Sequence, residues 1–307
     1  MDDDNSIVAT SVHEDLPLAK PTHWLAELSL DFDAQLGRSF LAKRQHNGPL
    51  VIQKTLHPEG VDLCHGIIIH PPGGVAGGDE LILNVNMQKN AQALLTTPGA
   101  GKWYKANGTV ASQHLQFDLG EDASLEWLPQ ENILFDGAIL DFSADINLDV
   151  DAKYAGWEIL CFGRLAKGES WDTGKLHQKL TIKRLTRTIW QERTHLNADD
   201  QLFKSKVGLD GNVVSASFVI AAGAVPTELL QKCQQYKIDD FGKDDPNIKN
   251  SADSRAKFGV TALPEVFSAR YIGMSAQSAR HYFEGLWQIL RPWYLSRPAI
   301  RPRIWNT

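Results

Sequence analysis

Cys64, His65, His70, Asp79, Glu131, Asp136 and Glu169 are the side chains in this sequence whose types suit a metal ion. Imidazole and thiolate favour nickel, copper and zinc, whereas carboxylates favour harder cations. Their spacing does not predict a closed cage. There is no H-x₃-H pair and no C-x-x-C. By spacing alone, His65 and His70 read as satisfied strand residues and Cys64 as a small core hydrophobe. Glu126 and Glu131, in "EWLPQE", raise a second chemistry, the paired carboxylates of a hydrolase. That reading needs both acids to face one substrate, which their spacing does not establish. No G-x-S-x-G elbow supports an alternative serine hydrolase.

Two glycine-rich stretches invite a phosphate reading and fail it. "HPPGGVAGGDELIL" carries Gly73, Gly74, Gly77 and Gly78, and a β-rich run follows them. A dinucleotide fingerprint needs G-x-G-x-x-G and then a helix. "TTPGAGKWY" ends its glycines in Gly-Lys, but Thr96 stands at the first glycine of a P-loop. Trp103 stands where a hydroxyl would hold magnesium. No nucleotide site is expected in this chain.

The elements that must position these residues are mostly strands. In "DFSADINLDV", Phe142, Ala144, Ile146, Leu148 and Val150 alternate with Ser143, Asp145, Asn147 and Asp149. Period two predicts a strand with one face in a core and one in water. "HLQFDLG" repeats the pattern and stops at Gly120, and "ASLEWLP" repeats it before Pro129. "KLTIKRLTRTIWQERTHL" predicts an outer hairpin or one long twisted strand. Two stretches switch to helical spacing, "PTELLQKCQQY" and "SAQSARHYFEGLWQILRP". The second carries Ala276, Ala279, Phe283, Leu286 and Leu290 on one stripe, and Pro292 is expected to end it. The polar, proline-broken stretch at 239–259 reads as a long loop. The expected architecture is mainly β, with stacked strands in a β-helical or two-sheet arrangement and two α-helices.

Composition narrows the function classes. The chain has 307 residues, 43% of them hydrophobic, and a net charge of −6. Residues 1–21 carry roughly −4 of that charge, so they are expected to form a flexible acidic leader before a single domain over 22–307. The near-neutral body gives no nucleic-acid footprint. No apolar run approaches the roughly 20 residues of a membrane span, and "MDDDN" does not open like a secretory signal. Three widely spaced cysteines fit a reducing cytoplasm. At the other end, "LRPWYLSRPAIRPRIWNT" joins arginine to tryptophan, the residue types that anchor protein interfaces. Packing of this tail on its own body is the competing expectation.

Seven stretches then occur in a telling order: "GPLVIQKTLHPEG", "CHGIIIHPPGGVAGGD", "ALLTTPGAGKWYKANG", "LEWLPQENILFDGA", "CFGRLAKGE", "ARYIG" and "LWQILRPWYLSRPAIRPRIWNT". Together they resemble the UreD (also called UreH) family of urease accessory proteins, from about Trp24 to the end. Trp103-Tyr104-Lys105 departs from the family's frequent Phe-Tyr-Arg, and residues 239–257 match poorly. The resemblance implies a β-rich, non-enzymatic maturation factor with no tightly bound cofactor. It implies binding to apo-urease and to UreF, and through UreF to the GTPase UreG, with transient nickel(II) as cargo. It further implies a water-filled nickel passage. Asp79, Thr96, Thr97, Glu131, Asp136 and Glu169 are the expected lining, because they are polar positions inside the shared stretches. Trp287, Arg291, Trp293, Arg297 and Arg301 are the expected contribution to UreF docking.

Overall fold

The structure is a computed structural model that describes residues 24–238 and 253–306. The acidic leader at 1–21, and most of the polar stretch expected as a loop, lie outside the described residues. The first two strands, β1 (Leu25–Gln35) and β2 (Arg38–Asn47), form an antiparallel hairpin. The chain then winds between two sheets. β3 (Val51–Ile52) and β4 (Cys64–Ile69) lie in the second sheet, β5 (Glu80–Met87) in the first, and β6 (Gln92–Thr96) in the second. β7 (Gly101–Trp103) forms a short third side. The next coil repeats this course with β8 (Ala111–Leu119), β9 (Ser124–Trp127) and β10 (Asn132–Leu134), and the following one with β11 (Ile139–Leu148) and β12 (Lys153–Phe162).

Successive coils stack in parallel and in register. Leu28, Leu83, Leu115, Ala144 and Leu180 form one inward row across the first sheet. Leu30, Val85, Phe117, Ile146 and Ile182 form the next. Each alternating segment of the first sheet presents its apolar side to the same interior, so one winding explains the period of two along that sheet. The hairpin β13 (Lys175–Arg184) and β14 (Arg187–Asn197) completes the first sheet. β15 (Val214–Ala221), β16 (Lys257–Ala262) and β17 (Val266–Gly273) extend the second sheet in antiparallel fashion.

Helices α1 (Thr227–Gln235) and α2 (Ala276–Leu295) cover the far face of the second sheet. That sheet is therefore buried on both sides, against the first sheet and against the helices. Trp157 and Ile159 of β12 face the helices, while Tyr154 and Leu160 face the first sheet. Two-sided burial is why β9 does not show the expected wet face: Ser124, Leu125, Glu126 and Trp127 are all buried.

Three boundaries differ from the sequence reading. Val150 lies past the end of β11 and is exposed. Lys257, Phe258 and Gly259, expected in a loop, begin β16. Pro292 does not end α2 but sits inside its last turns, and the helix stops at Ser296 in a left-handed conformation. A proline near the C-terminal end of a helix removes one backbone bond without ending the turn, and here the neighbouring Arg291 and Tyr294 are fixed in the interior.

Candidate functional site: a cavity between the sheets

A cavity of about 300 Å³ lies between the two sheets. Its lining extends from the glycine loop after β4 and the "TPGAG" loop after β6 to the inner faces of β12, β13 and β14. Trp103, Trp127, Phe142 and Tyr154 supply much of the wall. Two glycines leave room for aromatic rings of this region. A Cβ on Gly156 would stand 2.0 Å from the Tyr154 hydroxyl, and one on Gly74 would stand 2.4 Å from the Tyr104 ring. No side chain fits at either place without moving the ring.

Glu158 is a carboxylate in the otherwise largely apolar lining. β12 alternation points it between the sheets, in line with Tyr154 and Leu160. Its amide partner is Gln178 of β13, whose Nε2 donates to Glu158 Oε2. Removal from bulk water is the main influence on its carboxyl and raises it to about 7. The Gln178 hydrogen bond opposes that rise, and the nearby charge of Glu192 adds to it. Glu158 nevertheless keeps accessible side-chain surface, because it borders the cavity instead of packed neighbours.

Glu192 of β14 also lines the cavity. Its Oε1 accepts from Trp190 Nε1 at 2.9 Å and from Arg270 of β17 at 2.9 Å. Arg270 is 63% exposed, so this ion pair bridges the two sheets at the solvent boundary. Toward the other end, Thr97 lines the cavity, and its Oγ1 accepts the Gln130 backbone N–H at 2.9 Å. His70 lines the same end. Burial lowers its basicity, and the charge of Asp79 partly offsets that.

The other expected passage residues lie outside this lining. Asp79 accepts the Ala76 backbone N–H at 2.9 Å and so closes the glycine turn. Thr96 is buried, donates to Leu128 O at 2.5 Å and accepts from Trp305 Nε1 at 2.7 Å. Glu131 faces Arg280 at 3.6 Å. Asp136 and Glu169 do come together: the Asp136 backbone N–H donates to Glu169 Oε1 at 3.2 Å. Asp136 also accepts from the backbone N–H groups of Asp172 and Thr173 at 2.8 and 2.6 Å. Partial burial raises its carboxyl, but those hydrogen bonds outweigh it and hold it below the ordinary range. The Arg164 guanidinium does the same for Glu169. Among the described residues, no three His, Cys, Asp or Glu side chains cluster closely enough to hold a metal.

A second buried acid has the opposite surroundings. Glu126 of β9 points toward α2 and is 1% exposed. It accepts from Trp287 Nε1 at 2.7 Å, from Tyr294 Oη at 2.6 Å and from Arg291 Nη2 at 2.7 Å. Arg291, fully buried, also donates to Glu59 Oε2 at 2.5 Å and to Pro298 O at 2.7 Å. Glu59 in turn meets His65 Nε2 at 2.9 Å. Burial pushes Glu59 up, but the His65 and Arg291 hydrogen bonds win and lower it. One guanidinium thus joins a loop, the second sheet, the last helix and the tail.

This arrangement leaves Glu126 committed to a cation, so it is not paired with Glu131 across a substrate. It also accounts for most of the expected docking residues. Trp287 and Arg291 are interior. Arg297 holds Asp62, and Arg301 donates to Glu284 Oε2 at 2.8 Å. Trp293 remains partly exposed. Glu158 and Glu192 are the polar residues that sequence reasoning passed over. A signal existed for the first: "KYAGWEILCF" is a nearly continuous apolar run, and a lone carboxylate inside such a run needs a reason.

Comparison with known proteins bears on the whole of this body. Residues 25–306 match the UreD urease accessory protein family. The chain is 53% identical to urease accessory protein UreD of Methylobacillus flagellatus, over 92% of this chain and 95% of that one. It is 42% identical to the UreD of Dechloromonas aromatica, over 95% and 99% of the two chains. It is 38% identical to that of Pseudomonas fluorescens, over 92% and 95%. The coiled β-body, its cavity and its arginine-locked C-terminal helix are therefore those of a chain that belongs to the UreD family of urease accessory proteins.

Proposed function

We propose that this chain is a non-enzymatic scaffold that binds apo-urease and a UreF–UreG complex in the cytoplasm and helps deliver nickel(II) to the urease site. The observation that carries the reading is the cavity between the sheets, polar at Glu158, Glu192 and Thr97. A conduit for an ion must attract it and also release it, which favours scattered oxygen donors over a closed cage. Hydrated nickel keeps most of its water in such a place. The interior part of the route rests on these three residues. Asp79, Thr96, Glu131, Asp136 and Glu169 lie outside the cavity's lining and form no part of this interior route.

Partner docking in this reading uses the outer side of the last helix and the tail. Trp287 and Arg291 act indirectly, by holding α2 and Pro298 in place. Trp293 and Ile300 keep exposed apolar surface there and are the better direct contacts. The test is co-expression with UreF, UreG and apo-urease. Glu158→Gln combined with Glu192→Gln should lower the nickel content of urease while UreF still co-purifies. Loss of UreF binding with that pair would mean that the two acids serve assembly and not transfer.

A further inference from the structure

The outer face of the first sheet carries a histidine pair unconnected to the cavity. His177 of β13 and His195 of β14 are direct cross-strand partners. Their rings stack with centroids 4.4 Å apart and planes 25° from parallel. Both residues are exposed. Neither ring makes a hydrogen bond with the described residues. Asp141 of β11 occupies the next position of the same row, beside His177, and is exposed as well.

We infer that His177 and His195 form a shallow surface site for a borderline divalent transition cation, with water completing the coordination. Neighbouring cross-strand side chains stand about 4.5–5.5 Å apart at Cβ. Rotation of the two rings, with no backbone movement, then brings one nitrogen of each to the roughly 2.0–2.1 Å reach of a single ion. Stacking fills the pair's space when the ion is absent. Charge alone does not favour a cation here. Lys175, Lys179 and Arg193 flank the pair on the two strands, although Lys179 is engaged by Asp145 at 3.3 Å. Asp141 offsets part of that field. Selection therefore rests on ligand softness, so copper, nickel and zinc should bind while magnesium and calcium should not. The inference does not depend on the cavity being a nickel route.

The experiment titrates the full-length chain with copper(II) and with nickel(II) at neutral pH, beside His177→Ala, His195→Ala and Asp141→Asn. Each histidine variant should weaken one site by about tenfold or more, and Asp141→Asn should weaken it less. Excess magnesium should not compete. Nickel should broaden the ring signals of His177 and His195 in the NMR spectrum of the unaltered protein, which reads the site without any substitution. Unchanged titrations in both histidine variants would overturn the proposal. So would effective competition by magnesium, or broadening confined to other histidines.

Discussion

Glu126 and Glu158 sit on adjacent strands of the same sheet, and both are taken out of bulk water. They differ in what faces them. Glu126 points toward the helices and meets Arg291, Trp287 and Tyr294. Glu158 points the other way, into a cavity, where it meets the Gln178 amide and lies near a second acid, Glu192, and the Tyr154 phenol. The first carboxylate is saturated and holds structure. The second gains from any cation that reaches it, because burial makes its bare charge costly. On opposite faces of one sheet, the same residue type is either locked to a guanidinium or left facing open space.

The lock should fail first. Arg291→Leu strands Glu126 and Glu59 without their cation, and breaking a buried pair from one side costs about 3–5 kcal/mol. Urea denaturation should show a loss of that size. Restoring most of it with Glu126→Leu in the same chain would sharpen the comparison, and a loss under about 1 kcal/mol would break it.

The cavity acid should behave in the opposite sense. The fold raises Glu158 to about 7, so the folded chain holds a proton that the unfolded chain releases near 4.5. That contribution is complete below the unfolded value and is lost as pH rises through about 7. Glu158→Gln should therefore match the parent near pH 4.5 and exceed it near pH 8, by up to about 3 kcal/mol. Denaturation midpoints at the two pH values check this. An unchanged gap between parent and variant would mean that Glu158 is solvated like a surface acid.

These two acids also mark how far the sequence could be read. Alternation in "DFSADINLDV" and "HLQFDLG" was enough for a stacked β-body, because those strands have one wet face. The helices were legible from stripes such as Phe283, Leu286 and Leu290. Alternation in "ASLEWLP" predicted a wet face that β9 does not have, and β12 offered no such pattern, because both strands are buried on both faces. There a carboxylate reveals neither its direction nor its partner, since Arg291 lies 165 residues from Glu126. The pairing of Asp136 with Glu169 was equally out of reach, although both belong to shared stretches. Their loops meet only after a full coil of the chain.

Smaller effects should follow burial in the same way. Trp305→Phe keeps most of the packing against Trp157 and Trp287 but removes the bond to Thr96. It should cost about 1 kcal/mol in thermal or urea unfolding. Lys89→Ala, which breaks the exposed pair with Glu121, should stay within about 0.5 kcal/mol. A large effect at Lys89 would show that burial is the wrong axis for ranking these contacts.

The proposed route takes a cation past Glu158 on its way to urease. The most direct measurement is nickel per urease site, by elemental analysis, after co-expression with the Glu158→Gln chain and with the unaltered one. Clearly reduced nickel is expected with the variant, at equal recovery of UreF and apo-urease in the complex. Full nickel loading with Glu158→Gln would contradict that route.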